Sequence, residues 1–189
     1  MNLVLLFISA ALINNVLLSR FLGECPFLGI SKSKDSAIGM GLAVIFVITL
    51  SGAITWFLNE LLVFLGLEYL QTIVFILIIA VLVQFVELFL KKTSPSLYEA
   101  LGIYLPLITT NCAILGMSLL NIRENYNFIE ALINSFGSGC GFALALIIFS
   151  AIREKMQLND VPKAFEGTAL ALVTVGLLSL AFMGFSGLV

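Results

Sequence analysis

Residues 37–58 read AIGMGLAVIFVITLSGAITWFL and contain no charged side chain. A helix needs about 20 apolar residues to cross the hydrocarbon core of a bilayer. This run is continuously apolar, whereas a strand of a membrane barrel alternates apolar and polar residues over about ten positions. Residues 37–58 therefore predict a transmembrane α-helix.

Five more runs of similar character occupy residues 3–22, 70–90, 97–120, 128–152 and 165–189. Hydrophobic residues make up 61% of the 189 residues and charged residues 11%, and the mean hydropathy is +1.16. A soluble domain has nearer to about a quarter charged residues. We therefore expect an all-α membrane protein with six transmembrane helices, forming a single integral membrane domain over residues 1–189.

The composition also excludes several functions. A net charge of -2 without a basic cluster argues against nucleic acid as a partner, because phosphate binding requires concentrated Lys and Arg. The chain has no histidine, so imidazole is available neither as a metal ligand nor as a catalytic base. Its three cysteines are too few for a disulfide framework. The N-terminus lacks a basic segment before its apolar run, so we expect a first span rather than a cleaved signal peptide.

Basic residues predict the orientation of the chain. Loops rich in Lys and Arg stay in the cytoplasm. Seven basic residues follow the first, third and fifth runs, whereas only Arg123 lies on the opposite side. The seven are Lys32, Lys34, Lys91, Lys92, Arg153, Lys155 and Lys163. Both termini are therefore predicted on the outer side of the membrane.

Two short motifs occur twice in the same order. CPFLG at residues 25–29 matches CAILG at residues 112–116, and GMGLA at 39–43 matches GCGFA at 139–143. The pairs fall at equivalent places in two sets of three helices, which indicates a duplication. Because three is odd, the second set enters the membrane in the opposite direction, and we expect a 3+3 inverted repeat with its binding site near the midplane. The first repeat covers about 1–93 and the second about 94–189.

Each C-x-x-L-G motif lies where a helix is expected to break. Gly23 and Pro26 flank Cys25, and Pro106 precedes Cys112; proline removes a backbone donor and clashes with the preceding turn. The first and fourth helices are thus predicted to be broken, with both thiols near mid-membrane. Cys25 and Cys112 are each other's counterparts, whereas Cys140 is matched by Met40 and is interpreted as a small buried hydrophobe.

A metal site on these cysteines requires a second chain. Two thiolates complete neither a tetrahedral site nor a 2Fe-2S cluster, each of which takes four ligands. A partner, most simply a homologue of the same fold, would have to supply the other two. The competing interpretation is that Cys25 and Cys112 are also small buried hydrophobes.

Three charged residues have open roles. Arg20 and Glu24 lie close to the first cysteine motif, and Glu87 lies inside the third run. An ionisable residue in a membrane span is a functional hypothesis by default. The alternatives are that Glu87 pairs with Lys91 one turn later and that Arg20 extends toward an interface.

Three stretches carry a family resemblance: NNVLLSRFLGECPFLGIS (14–31), VQFVELFLKKTSPSLYEALGIYLPLITTNCAILG (83–116) and LSLAFMGFSGLV (178–189). They resemble the A subunits of the Rnf complex, the membrane-bound ion-translocating ferredoxin:NAD oxidoreductase of bacteria. The chain is also similar to the E subunit of the sodium-translocating NADH:quinone oxidoreductase. The resemblance covers essentially the whole chain.

The resemblance implies a subunit of the bacterial inner membrane without a complete active site of its own. It would pair with the homologous E subunit of the Rnf complex, of opposite topology, around a 2Fe-2S cluster whose ligands from this chain are Cys25 and Cys112. The other Rnf subunits, named B, C, D and G, would complete the complex, with flavins and further iron-sulfur clusters in other subunits. Electrons would pass between ferredoxin and NAD while sodium ions or protons are exported.

Three functions compete on the residues alone. The first is an electron-carrying subunit of a redox-driven ion pump, the second a small secondary transporter, and the third a scaffold subunit without a redox centre. Inverted repeats with broken helices are also a transporter design. The paired C-x-x-L-G motifs favour the pump, because a transporter has no need of matched thiols.

Overall fold

The structure is a computed structural model that describes residues 3–31, 33–93, 105–157 and 167–184. All regular secondary structure in these four ranges is helical, which confirms the predicted all-α class. Three helical segments in them are long and apolar enough to cross a membrane: Lys34–Leu65, Glu68–Phe89 and Phe128–Met156. Two shorter apolar helices are Leu3–Ile13 and Thr168–Met183. Of the basic residues that predict orientation, Lys32 and Lys163 lie outside the described residues.

The helices are numbered in chain order. In the first half they are α1 (Leu3–Ile8, continued by a π-helical turn at Ser9–Ile13), α2 (Glu24–Ile30), α3 (Lys34–Leu65) and α4 (Gln71–Thr93), with a 3-10 turn at Glu68–Leu70. In the second half they are α5 (Leu105–Thr109), α6 (Cys112–Arg123), α7 (Phe128–Gln157) and α8 (Thr168–Met183). Both halves therefore present two short helices, one long helix and one further helix.

The predicted breaks are found at both cysteine motifs. The run 3–22 is helical only to Ile13, and a new helix begins at Glu24. In the run 97–120, of which residues 97–104 lie outside the described ranges, a break at Thr110 and Asn111 separates α5 from α6. The helix predicted over residues 37–58 is shorter than the observed one. α3 extends from Lys34 to Leu65 and ends at Gly66, whose φ of 68° is left-handed.

Among the described helices, the two long ones, α3 and α7, make the most extensive contact. Their G-x-G-x-A motifs lie at the crossing. A Cβ on Gly41 of α3 would lie 2.9 Å from the Cβ of Ala143 in α7, and one on Gly139 of α7 would lie 2.8 Å from Cγ2 of Ile48 in α3. The repeated glycines thus let the two backbones approach closely, as small residues do between membrane helices.

The core surrounds this crossing. Its largest fully buried side chains include Phe27 of α2, Phe142 and Phe149 of α7, and Met40 and Ile48 of α3. The short helices α2 and α6 pack on the same core through Phe27, Ala113 and Ile114. Both cysteine-bearing helices are therefore anchored to the long helices.

Candidate functional site

The break before Cys25 is organised by Asn15. The carboxamide oxygen of this fully buried residue accepts hydrogen bonds from the backbone N–H of Leu17 at 3.0 Å and of Leu18 at 3.4 Å, which draws these groups away from helical pairing. Its Nδ2 donates to the carbonyl of Gly141 in α7 at 2.8 Å. Asn15 therefore both ends the first helix and ties the break to α7.

α2 is held in place at two points. The rings of Phe27 and Phe149 stack with centroids 4.4 Å apart, and both side chains are fully buried. Arg153 of α7 reaches the other end of α2, where Nη1 donates to the carbonyl of Leu28 at 2.7 Å and to Oγ of Ser31 at 2.8 Å. A cation at this end also complements the negative end of the helix dipole. α7 thus positions the helix that carries Cys25.

The second break is shorter. The N–H of Thr110 donates to the carbonyl of Pro106 at 3.2 Å, which closes the last turn of α5. Asn111 then caps α6, because its Oδ1 accepts from the N–H of Ala113 at 3.0 Å. Cys112 is the first residue of α6.

The two breaks contact each other through Gly23 and Cys112. The backbone N–H of Gly23 donates to Sγ of Cys112, with the nitrogen 2.9 Å from the sulfur. Nearby, Leu22 covers Gly116, and Leu107 of α5 lies against Gly29 of α2. Because consecutive Cα atoms are about 3.8 Å apart, the Cα of Cys25 lies within about 8 Å of the Cα of Gly23. The two predicted motifs are therefore neighbours.

The three cysteines differ in exposure. Cys25 and Cys112 are both exposed on the described surface, whereas Cys140 is half-buried in α7. Within the described ranges, no group of three or more His, Cys, Asp or Glu side chains is arranged to hold a metal ion. Two thiols at an open surface fit half of a four-thiolate iron-sulfur site, with the other half contributed from outside the chain.

Known proteins match this chain over its whole length. The family described as "Rnf-Nqr subunit, membrane protein" matches residues 3–189. The chain belongs to the Rnf-Nqr family. Its membrane character, inferred above from hydropathy alone, is thereby confirmed.

Individual Rnf-Nqr relatives are similar across nearly their full length. The A subunit of the Na(+)-translocating ferredoxin:NAD(+) oxidoreductase complex of Acetobacterium woodii is 57% identical over 189 residues, which cover 100% of this chain and 98% of the relative. The A subunit of the ion-translocating oxidoreductase complex of Aliivibrio salmonicida is 57% identical over 186 residues, covering 98% and 96%. The corresponding subunit of Yersinia enterocolitica is 54% identical over 186 residues, covering 98% and 96%.

A polar cavity of about 190 Å³ lies beside the first break of this Rnf-Nqr subunit. It runs between α1, α6 and α7, and its polar lining consists of Ser9, Asn14, Arg20, Glu124, Tyr126, Asn134 and Ser138. Tyr126 lies in the turn between α6 and α7. Partial burial raises the pKa of its phenol, and the negative charges of Glu124 and Glu130 raise it further. Tyr126 is therefore a neutral hydrogen-bonding group at physiological pH.

The predicted charged residues are not gathered into one site. Arg20 lines the polar cavity, and Glu24 is half-buried in the first turn of α2. Glu87 is half-buried on α4, one turn before Lys91, and is not among the residues that line the cavity. Its place in an ion path stays a prediction.

Two contributors to the site were missed by sequence reasoning. Arg153 served there only as a marker of cytoplasmic loops, and Gly23 only as a helix breaker. Neither role has a local signal, since each depends on a partner more than 80 residues away in the chain. A single arginine near the end of an apolar run is a weak hint, because that is also where basic residues mark an interface.

Proposed function

We propose that this chain is a membrane subunit of an ion-translocating oxidoreductase complex and provides, through Cys25 and Cys112, two of the four thiolate ligands of an intramembrane 2Fe-2S cluster. The observation that carries the proposal is the contact between the two breaks. Gly23 donates to the sulfur of Cys112, and Cys25 follows two residues later, so the repeat-related thiols belong to one locality and are both exposed.

The missing ligands would come from a homologous partner. The E subunit of the Rnf complex is the partner that the resemblance implies, and the two chains would meet where Cys25 and Cys112 are exposed. The full arrangement is six transmembrane helices in a 3+3 inverted repeat, in the bacterial inner membrane, with both termini outside. Reporter fusions at Val189 that are active only in the cytoplasm would contradict this orientation.

The coupled reaction is ferredoxin oxidation and NAD reduction. Two electrons and one proton convert NAD+ to NADH, and an iron-sulfur centre passes electrons singly, so two transfers serve each NADH. A bound 2Fe-2S cluster supplies a one-electron acceptor inside a layer that excludes free charge. The protein's own contribution is to hold the thiols on helices anchored to α3 and α7. Sodium ions or protons would be moved by the same complex.

The test replaces each cysteine by serine in the whole complex. A serine oxygen is a harder and poorer ligand than sulfur for an iron-sulfur centre. Cys25→Ser and Cys112→Ser are expected to remove or strongly alter one 2Fe-2S signal in EPR and visible absorption spectra, and to stop electron transfer. Complex assembly is measured in parallel by size exclusion and subunit staining.

Cys140→Ser is the matched control. It places the same hydroxyl in α7, where Cys140 is half-buried, at a similar cost in folding. It is expected to leave both the signal and electron transfer unchanged. Loss of the signal in Cys140→Ser, or a normal signal in an assembled Cys25→Ser complex, would show that the repeat-related pair are not the ligands.

A small secondary transporter is the second candidate. Broken helices beside a polar cavity are features of transporter binding sites, and the cavity at Arg20 and Glu124 fits that pattern. A transporter would move its substrate without a redox centre. Ion or solute uptake by this chain alone in vesicles, together with no EPR signal in the copurified complex, would favour it over the electron carrier.

A further inference from the structure

The equivalent backbone N–H groups of the two repeats donate to different kinds of acceptor. Two residues before Cys25 stands Gly23, and two residues before Cys112 stands Thr110. The N–H of Thr110 is used within its own break, where it donates to the carbonyl of Pro106 at 3.2 Å. The N–H of Gly23 instead crosses to the other repeat and donates to Sγ of Cys112, with an N···S distance of 2.9 Å.

The crossing bond requires glycine. Gly23 has φ 87°, in the left-handed region that other residues rarely adopt. A Cβ there would lie 2.7 Å from Cε2 of Phe142 and 3.1 Å from both Oδ1 of Asn111 and the Cβ of Ala113. Phe142 is fully buried in the core and Asn111 caps α6, so neither side chain is free to move aside. The surroundings therefore fix the direction of the Gly23 N–H.

We propose that Gly23 is a positioning residue whose backbone N–H raises the reduction potential of the cluster that Cys112 ligates. The inference rests on the function proposed above. One-electron reduction adds a negative charge to the cluster and its thiolates, and a hydrogen bond to a ligand sulfur stabilises the reduced form more than the oxidised form. The bond reaches one of this chain's two ligands, because among the described residues no donor is found for Sγ of Cys25. The effect therefore acts on the iron that Cys112 holds.

The test is Gly23→Ala in the assembled complex. The added methyl group must displace the N–H from Sγ of Cys112, because its neighbours are packed. The midpoint potential of the EPR signal that Cys112→Ser removes is expected to fall by about 59 mV, which is a tenfold decrease in the equilibrium constant for one-electron reduction. The cluster itself is expected to be retained, since both thiols remain.

Gly66→Ala is the matched control. Gly66 also has a left-handed φ, 68°, but a Cβ there would contact none of the surrounding described residues within 4 Å. The variant carries the same kind of backbone strain far from the cysteines and is expected to keep the wild-type potential. An unchanged potential in Gly23→Ala, or an equal shift in Gly66→Ala, would overturn the inference.

A measurement on the unaltered complex covers the case in which Gly23→Ala does not assemble. Cells fed with ¹⁵N-glycine yield a complex in which the nitrogen of Gly23 is labelled. Pulsed EPR of the same signal is expected to show a ¹⁵N coupling from a nitrogen whose N–H donates a hydrogen bond to a ligand sulfur, and its absence would overturn the inference. The proposed function fails separately, if Cys112→Ser changes no EPR signal of the complex.

Discussion

Arg153→Met is expected to loosen the helix that carries Cys25. α2 has only seven residues, and helices shorter than about 12 residues are not stable in isolation. It therefore depends on tertiary contacts, which include the stacked pair Phe27 and Phe149 and the two hydrogen bonds from Arg153. Methionine keeps an unbranched apolar side chain resembling the stem of arginine and removes both bonds.

The magnitude follows from those two bonds. A hydrogen bond to a charged group contributes about 1.5–3 kcal/mol, and removing the arginine also leaves the Leu28 carbonyl and the Ser31 hydroxyl without this donor. Arg153 is half-buried, so solvent recovers part of the loss. We expect α2 to lose about 2 kcal/mol of local stability, which is about a 30-fold increase in the population of its locally open state.

Hydrogen exchange followed by mass spectrometry measures that population. Amides of residues 24–31 in the whole complex are expected to exchange about 30-fold faster in Arg153→Met, while those of α3 are unchanged. The control is Glu154→Gln, one residue further along α7. It removes the ion pair with Lys34, whose atoms are 2.6 Å apart but whose side chains are 54% and 53% exposed. Such pairs contribute about 0–1 kcal/mol.

Two results would refute this reasoning. If exchange in α2 is unchanged by Arg153→Met, the apolar packing of α2 holds the helix without the bonds from Arg153. If Glu154→Gln accelerates exchange as much as Arg153→Met, the effect is a general loosening of the end of α7 rather than the loss of the bonds to Leu28 and Ser31.

The remaining predictions concern α4 and the helix crossing. If Glu87 belongs to an ion path, Glu87→Gln is expected to lower ion translocation while electron transfer persists; unchanged pumping in vesicles would leave it a structural residue near Lys91. Gly52→Ala is expected to destabilise the chain by about 1–3 kcal/mol in thermal unfolding, because Ser135 of α7 already occupies the space of the added methyl group. Gly176→Ala is its control, since a Cβ at that position in α8 would contact no packed neighbour within 4 Å among the described residues. Equal losses in the two variants would contradict the packing argument.

Much of the site was predictable because its signals are local. Proline disfavours helical backbone at the residue before it, and glycine readily adopts a left-handed φ, so the breaks beside Cys25 and Cys112 were predicted from Gly23, Pro26 and Pro106. The sequence did not predict where the first helix ends. The run 3–22 is apolar to its last residues, but the helix ends at Ile13, and Asn15 there contacts the carbonyl of Gly141, 126 residues away. No window of sequence contains that contact.

The glycine motifs also have one role that the sequence predicts and one that only the structure shows. The repeated G-x-G-x-A pattern indicated a duplication, but its physical role, the close crossing of α3 and α7, depends on which side chains face each glycine. The sequence predicted Arg153 as a basic residue at a membrane interface. It did not predict that Arg153 caps α2.

By itself the sequence determined the membrane class, the broken helices and the matched pair of cysteines, because hydropathy and backbone restriction are properties of each segment alone. Only the tertiary structure decided which atoms meet: that the N–H of Gly23 is directed at the sulfur of Cys112, that Arg153 caps α2, and that a polar cavity lies beside the first break. Directional contacts between distant segments require the backbone to be in place first, and that placement results from packing the whole core.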